Sequence, residues 1–230
     1  MSAPEKILIT GASGYLGNGL CEHFNKLGFE VIGASHSKEG KFVSLKADLT
    51  KSGGGSALIS EAIHRFGSID YIINNAARQD VALLKDETET NISELFQVNI
   101  SAIAEIYSEI AKGGTGVKSV VNISSIEAIS PRPGHSIYGA TKAALEALTK
   151  SAAVEIAPAR SNFLRLGLIG RDGIEAAWPE GVTSWKSSAP LKAMGTIDDV
   201  AMAVEFLLKA RWVTGSGITL DGGMSVSANW

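Results

Sequence analysis

Short apolar runs alternating with amphipathic segments constrain this chain more than any other feature. Seven runs, KILIT (6–10), EVIGA (30–34), FVSLKAD (42–48), IDYIINNAA (69–77), KSVVNISS (118–125), NFLRLGL (162–168) and GITLDGG (217–223), read as strands. Helical periodicity falls between them, near 15–27, 56–66, 91–111, 138–157 and 198–209. The strands are apolar on both faces and helices separate them, which predicts an α/β fold: a doubly wound parallel sheet of about seven strands covered on each side. The glycine-rich stretches KSGGGS and AKGGTG are too short for interdomain linkers, so all 230 residues are expected to form one domain.

The first strand-to-helix turn carries TGASGYLG, with Gly11, Gly14 and Gly17 three residues apart. Glycines at such a turn let the backbone approach a pyrophosphate. The unpaired N–H groups at the following helix N-terminus favour an anion there. This context makes the loop a candidate dinucleotide site, with Ser13, Tyr15 and Leu16 joining the three glycines as contacts. An acidic residue about 20 positions on usually holds the ribose hydroxyls of NAD. Here the second strand runs out as GASHSKE, with Ser35, His36, Ser37 and Lys38 in that place and Glu39 too late to serve. With no carboxylate to repel a 2′-phosphate, and several donors near it, the expected cofactor is NADP(H), with NAD(H) as the alternative.

Tyr138 and Lys142 stand four apart in a strongly helical segment and share one helix face. Ser125 ends the fifth strand thirteen residues before Tyr138, and Asn99 lies within FQVNIS in the long pattern 91–111. In a parallel sheet the C-terminal strand ends line the ligand crevice, so Ser125 and the glycine loop are expected on one edge.

Taken together, TGASGYLG, ADLT with Asp48, NNAA at 74–77, Asn99, Ser125, YGATK and the terminal LDGG resemble the short-chain dehydrogenase/reductase family in its compact single-domain branch. Within that branch the text is most similar to 3-oxoacyl-carrier-protein reductases and to sugar or polyol dehydrogenases. The resemblance implies a Rossmann-type fold and nicotinamide-dependent hydride transfer between a ketone and a secondary alcohol on a small molecule. It also implies a catalytic tetrad of Asn99, Ser125, Tyr138 and Lys142. Lys142 would also hold the nicotinamide ribose, and Asn99 would support a proton-relaying water. Asp48 would meet the adenine, Leu49 would pack beside it, and Asn74 would serve the sheet. Asn75, Ala76 and Ala77 would lie along the cofactor. A homo-oligomer, tetramer or dimer, is implied as well, with the 91–111 and Tyr138-bearing helices as contact surfaces. The chemistry is sound on its own terms. A free phenol titrates near 10 and must be shifted to work near neutrality. A cation about 4 Å away is worth about 4 kcal/mol at an effective dielectric near 20, an upper bound of about three pKa units. Lys142 and the positive nicotinamide are therefore expected to lower Tyr138, while Ser125 stabilises charge on the substrate oxygen.

The chain departs from its relatives in several places. Ala77 replaces a glycine, and Tyr15 stands where compact relatives place the second glycine. After the sixth strand, RLGLIGRDG carries Leu166 for a proline and Arg171 for a threonine that helps fix the carboxamide. Backbone at Gly167, Leu168 and Ile169 is therefore expected to take over that contact. The segment from about 170 to 190 reads as an irregular substrate lid. Trp178 and Trp185 are either its aromatic anchors or core and subunit contacts. His135 and Arg78 read as surface-loop positions within reach of the pocket.

Several classes are disfavoured. A net charge of -3 leaves no basic footprint for nucleic acid. The lone Cys21 permits no intramolecular disulfide, reads as a buried thiol and fits a reducing compartment. His23, His36, His64 and His135 show no ligand spacing with it, so no metal is expected. No apolar run reaches membrane-spanning length and MSAPEKILIT lacks the pattern of a signal peptide, so a cytoplasmic location is expected. A dinucleotide-sensing protein without chemistry is the rival from another class, and the complete tetrad counts against it. An epimerase or dehydratase of the longer branch needs a substantial C-terminal domain, and only about forty residues follow Pro190.

Overall fold

The computed structural model describes residues 3–36 and 40–227. Seven strands form one sheet: β1 (Lys6–Thr10), β2 (Glu30–Ser35), β3 (Val43–Lys46), β4 (Tyr71–Asn74), β5 (Ser119–Ser125), β6 (Arg160–Leu166) and β7 (Gly217–Leu220). They lie in the order β3-β2-β1-β4-β5-β6-β7, and every pairing is parallel. The chain leaves β1 toward β2 and β3 on one side, then returns to place β4 on the other. The carboxyl ends of β1 and β4 thus flank the point where the winding reverses, where open α/β sheets hold their ligands.

Alternation along the strands builds two cores. In β1, Leu8 joins Ile32, Ile72 and Val120 on one face, under α2 (Gly54–Phe66), α4 (Ala102–Ala111) and α5 (Ser136–Glu155). Ile7 and Ile9 join Ile73, Val121 and Leu164 on the other, under α1 (Tyr15–Lys26) and α8 (Ile197–Lys209). Helix α1 shows why such segments fold this way: Gly17, Leu20, Cys21 and Phe24 recur at helical spacing and are its buried stripe. Cys21 is fully buried, which pushes its thiol up to about 12.

Two segments differ from the expectations. The pattern 91–111 is not one helix: α3 (Glu89–Phe96) and α4 are joined by a π-turn over Gln97–Ser101. The periodicity continues through it because both helices bury the same side. The wider turn carries Asn99 inward, where its amide bonds to Arg78 and Thr141. The segment 170–190, expected to be irregular, is helical, with α6 (Ile174–Ala177) and α7 (Pro179–Ser188). Pro179 occupies the first turn of α7, where a missing N–H costs nothing. No helix among the described residues is long and apolar enough to cross a membrane.

Candidate active site

The glycine loop is built by contacts that leave no room for side chains. Gly11 has φ +68, and a Cβ there would lie 2.9 Å from Asn75 Nδ2. A Cβ on Gly17 would lie 2.1 Å from the Gly11 carbonyl oxygen, so α1 can pack this close to β1 only with glycine. Gly14, the N-cap of α1, differs: a Cβ there would meet only the Gly11 carbonyl oxygen, at 3.3 Å. Its bare backbone faces the cleft. The loop is tied to β4 through Thr10, whose Oγ1 accepts from the amides of Asn75 and Ala76, each at 3.0 Å. Asn75 Nδ2 in turn donates to the Thr10 carbonyl at 3.0 Å.

This loop forms one wall of a cleft of about 700 Å³ at the carboxyl edge of the sheet. Of the expected cofactor contacts, Gly11, Ser13, Gly14, Tyr15, Leu16 and Gly17 line it on one side, and Ser35, His36 and Leu49 line it beyond β2. Asn75, Ala76 and Ala77 form its floor, and Ile169 lies on the far wall. Four expected contacts are absent from this lining: Tyr138 and Lys142, which lie deeper, and Asp48 and Gly167. Asp48 folds back on its own turn, accepting from the Thr50 amide at 3.1 Å and the Thr50 hydroxyl at 2.5 Å, and it is Thr50 that reaches the cleft. Those Thr50 hydrogen bonds hold the Asp48 carboxyl below the usual range. Gly167 is covered instead by Trp185, which approaches the position of a glycine Cβ to 2.6 Å.

At the end of β2, Ser13 Oγ and Ser35 Oγ lie 2.6 Å apart, and exposed His36 follows. Among the described residues, no acidic side chain from the end of β2 lines the cleft. Ser37, Lys38 and Glu39 lie outside the described residues. Two arginines also line the cleft. Arg78 is paired with Asp80 and Glu94, whereas Arg171 forms no ion pair among the described residues and stands on the wall facing Gly14 and Tyr15. Thr50 and Val98 also line the cleft, without any local motif to mark them. Thr50 comes from the turn after β3 and Val98 from the π-turn between α3 and α4. The enclosed volume, the glycine cradle and the helix N-terminus fit a dinucleotide. No cluster of metal-binding side chains occurs among the described residues.

The tetrad is assembled beside this cleft, largely buried. Ser125 ends β5, and its Oγ accepts from the Glu127 amide at 3.1 Å, which leaves its proton free to donate. Tyr138 and Lys142 are successive inward positions on α5, with Lys142 Nζ 5.6 Å from the Tyr138 ring centre and donating to the Ile123 carbonyl at 2.8 Å. Asn99 Nδ2 donates to the Arg78 carbonyl at 2.9 Å and to Thr141 Oγ1 at 3.0 Å, while its Oδ1 accepts from the Arg78 amide at 2.8 Å. It therefore fastens the loop after β4 to α5. Asn74 donates to Asn122 Oδ1 inside the sheet.

The chain alone does not lower the Tyr138 phenol as expected. Burial pushes it up to about 12, Glu127 adds its negative charge in the same direction, and the Ser125 hydroxyl opposes both. Complete burial holds the Lys142 ammonium itself down to about 8. His135 is likewise not a surface residue. It is buried, with its ring edge-on to Tyr138 at 6.1 Å.

An all-parallel sheet with a glycine cradle at its winding reversal, and a serine, tyrosine and lysine beside it, defines a dinucleotide-dependent enzyme. The family model described as enoyl-(acyl carrier protein) reductase matches residues 15–225. An uncharacterized oxidoreductase of Schizosaccharomyces pombe is 32% identical, covering 95% of this chain and 90% of that protein. The 3-oxoacyl-[acyl-carrier-protein] reductase FabG of Chlamydia muridarum is 28% identical over 95% of this chain and 96% of its own. Among solved structures, ligand-free aldohexose dehydrogenase from Thermoplasma acidophilum superposes with a TM-score of 0.88 at 27% identity, covering 99% of this chain and 96% of that one. The chain belongs to the short-chain dehydrogenase/reductase family of NAD(P)-dependent oxidoreductases.

Proposed function

We propose that this protein is an NADP(H)-dependent oxidoreductase that interconverts a ketone and a secondary alcohol, with Tyr138 as acid/base. The observation that carries the reading is the convergence of Ser125, Tyr138 and Lys142 beside a glycine-lined cleft of about 700 Å³. The cofactor preference rests on the end of β2, where Ser13, Ser35 and His36 offer polar groups and no acidic side chain among the described residues lines the cleft. Arg171, which forms no ion pair among the described residues, is available to the cofactor's diphosphate from the cleft wall.

When bound, the nicotinamide supplies the hydride in reduction or takes it in oxidation. The rest falls to this chain. Ser125 donates its hydroxyl proton in a hydrogen bond to the substrate oxygen and stabilises the negative charge that grows there. Tyr138 Oη gives its proton to that oxygen in reduction and recovers it in oxidation. Lys142 keeps a cation below the phenol ring, and Asn99 holds the loop and helix that frame the site in register.

Steady-state turnover of a panel of ketones and alcohols, read by absorbance with NADPH and NADH separately, tests both parts. NADPH should be preferred at least about tenfold in kcat/KM, about 1.4 kcal/mol. Tyr138→Phe should lose at least about 10²-fold in kcat with little change in dinucleotide affinity. A preference for NADH would overturn the cofactor assignment. Near-normal turnover by the phenylalanine variant would overturn the role of Tyr138. Tight dinucleotide binding without turnover of any compound would favour the sensing protein.

A further inference from the structure

In the loop between β5 and α5, Arg132 reaches in two directions. On the catalytic side its Nη2 lies 2.6 Å from His135 Nε2, and its Nε lies 3.3 Å from Glu127 Oε1. A guanidinium can only donate, so His135 Nε2 is the acceptor. Both partners border the tetrad. The His135 ring stands edge-on to Tyr138 at 6.1 Å, and the Glu127 amide donates to Ser125 Oγ at 3.1 Å. In the other direction, the Arg132 guanidinium lies 5.0 Å from the ring centre of Trp178, the residue that joins α6 to α7.

Trp178 is itself fixed within those helices. Its ring lies against the backbone of Gly181, where a Cβ would fall 1.8 Å from Trp178 Cε2, so α7 accepts no side chain at that position. The Trp178 amide donates to the Ile174 carbonyl at 2.8 Å, and Lys186 meets Glu175 at 2.6 Å. These contacts make α6 and α7 one unit, and within its two helices only Ile174 and Val182 are buried. Ile174 lines the dinucleotide cleft, while Trp185 covers Gly167 and donates to the Ala193 carbonyl at 3.0 Å. The unit is therefore seated beyond the end of β6, and Trp178 with Arg132 connects it to the loop after β5.

We infer that Arg132 is a positioning residue that clamps the α6–α7 unit to the catalytic loop, and that this clamp sets the outer wall of the substrate site beside Ser125 and Tyr138. A unit with so little buried apolar surface stands at the low-stability end of a fold, so a contact of this size governs where it rests. Parting Arg132 from Trp178 frees the near end of the unit while the Trp185 end stays seated. That opening admits a substrate without disturbing β5 or α5. The inference rests on Ser125 and Tyr138 forming the reactive site, but its first test needs no substrate.

Deuterium uptake of the whole protein, read by mass spectrometry without ligand, tests the clamp directly. Arg132→Met keeps the stem and removes the charge. Exchange across 174–188 should then quicken by about two- to fivefold, the size of an exposed cation–ring contact. Trp178→Leu should quicken the same amides as much, and carries the test if the arginine variant does not fold. The double variant should exchange no faster than the faster single one, since each substitution removes the same contact. Uptake across α5 should stay at the wild-type rate in all three. Unchanged exchange at 174–188 would overturn the inference. So would a double variant whose effects multiply, or an equal rise across α5, which would mean general loosening. With any ketone the panel turns over, Arg132→Met should raise KM by more than it lowers kcat. A fall in kcat alone would also overturn the inference, by placing Arg132 behind Tyr138 instead of the wall. If no compound turns over, the enzyme reading falls and the exchange result still decides the clamp.

Discussion

The three glycines of the first loop do different jobs, and single substitutions should separate them. A methyl on Gly17 would sit 2.1 Å from the Gly11 carbonyl oxygen, a clash with backbone that only a shift of α1 relieves. Gly17→Ala is therefore expected to lose about 1–3 kcal/mol of stability in urea denaturation, in the range of overpacked cores. A methyl on Gly14 meets one atom at 3.3 Å, so Gly14→Ala should stay within about 1 kcal/mol of wild type. Its cost should appear in dinucleotide affinity, measured by titration calorimetry, since the methyl projects where the ligand's phosphates would approach. Lys142 offers a second residue-level check. Its folded value of about 8 lies below the ordinary 10.5, so between those values the folded chain binds fewer protons than the unfolded one. Its contribution to stability is thus fully present above about 10.5 and is lost as pH falls through about 8. Wild type should gain stability relative to Lys142→Met when urea denaturation at pH 7.5 is repeated at pH 10; an unchanged difference would contradict the burial of a titrating ammonium.

At the scale of elements, α5 matters most because it carries both Tyr138 and Lys142. It is anchored to β6 by Arg165, whose Nε and Nη2 meet the two carboxylate oxygens of buried Glu146 at 2.7 and 2.5 Å; Ser124 Oγ donates to Glu146 Oε1 at 2.9 Å. Arg165→Met would leave that carboxylate buried with only the Ser124 hydroxyl, and is expected to cost about 3 kcal/mol in chemical denaturation. The elements also show where periodicity succeeds and fails as a guide. Strand positions were legible because both faces are apolar, and α1, α2, α5 and α8 because their buried stripes are continuous. The break between α3 and α4 was not legible, since inserting one residue at Asn99 leaves the apolar spacing readable as a single helix. Helices α6 and α7 were hidden for another reason. Their side chains face solvent on most sides, with only Ile174 and Val182 buried, so no stripe marks them.

At the scale of the whole molecule, apolar side chains remain on the outside. Val154 on α5, Met202 and Phe206 on α8, and Trp212 are all exposed. A large exposed apolar surface marks an interface more often than a bare face. The protein is expected to run as a homo-oligomer, so light scattering should give a multiple of the 24.1 kDa chain, and Phe206→Glu with Trp212→Glu should reduce it. Local signals determined a great deal: the seven strands, the parallel sheet and the glycine cradle follow from spacing and residue type, which act within one element or between neighbours. Tertiary structure decided what depends on distant segments meeting. It set Gly167 beneath Trp185, turned Asp48 back on Thr50 and buried His135 against Tyr138. Those outcomes are fixed by burial and Coulomb interaction, which depend on what packs around a group, and no linear spacing carries that information.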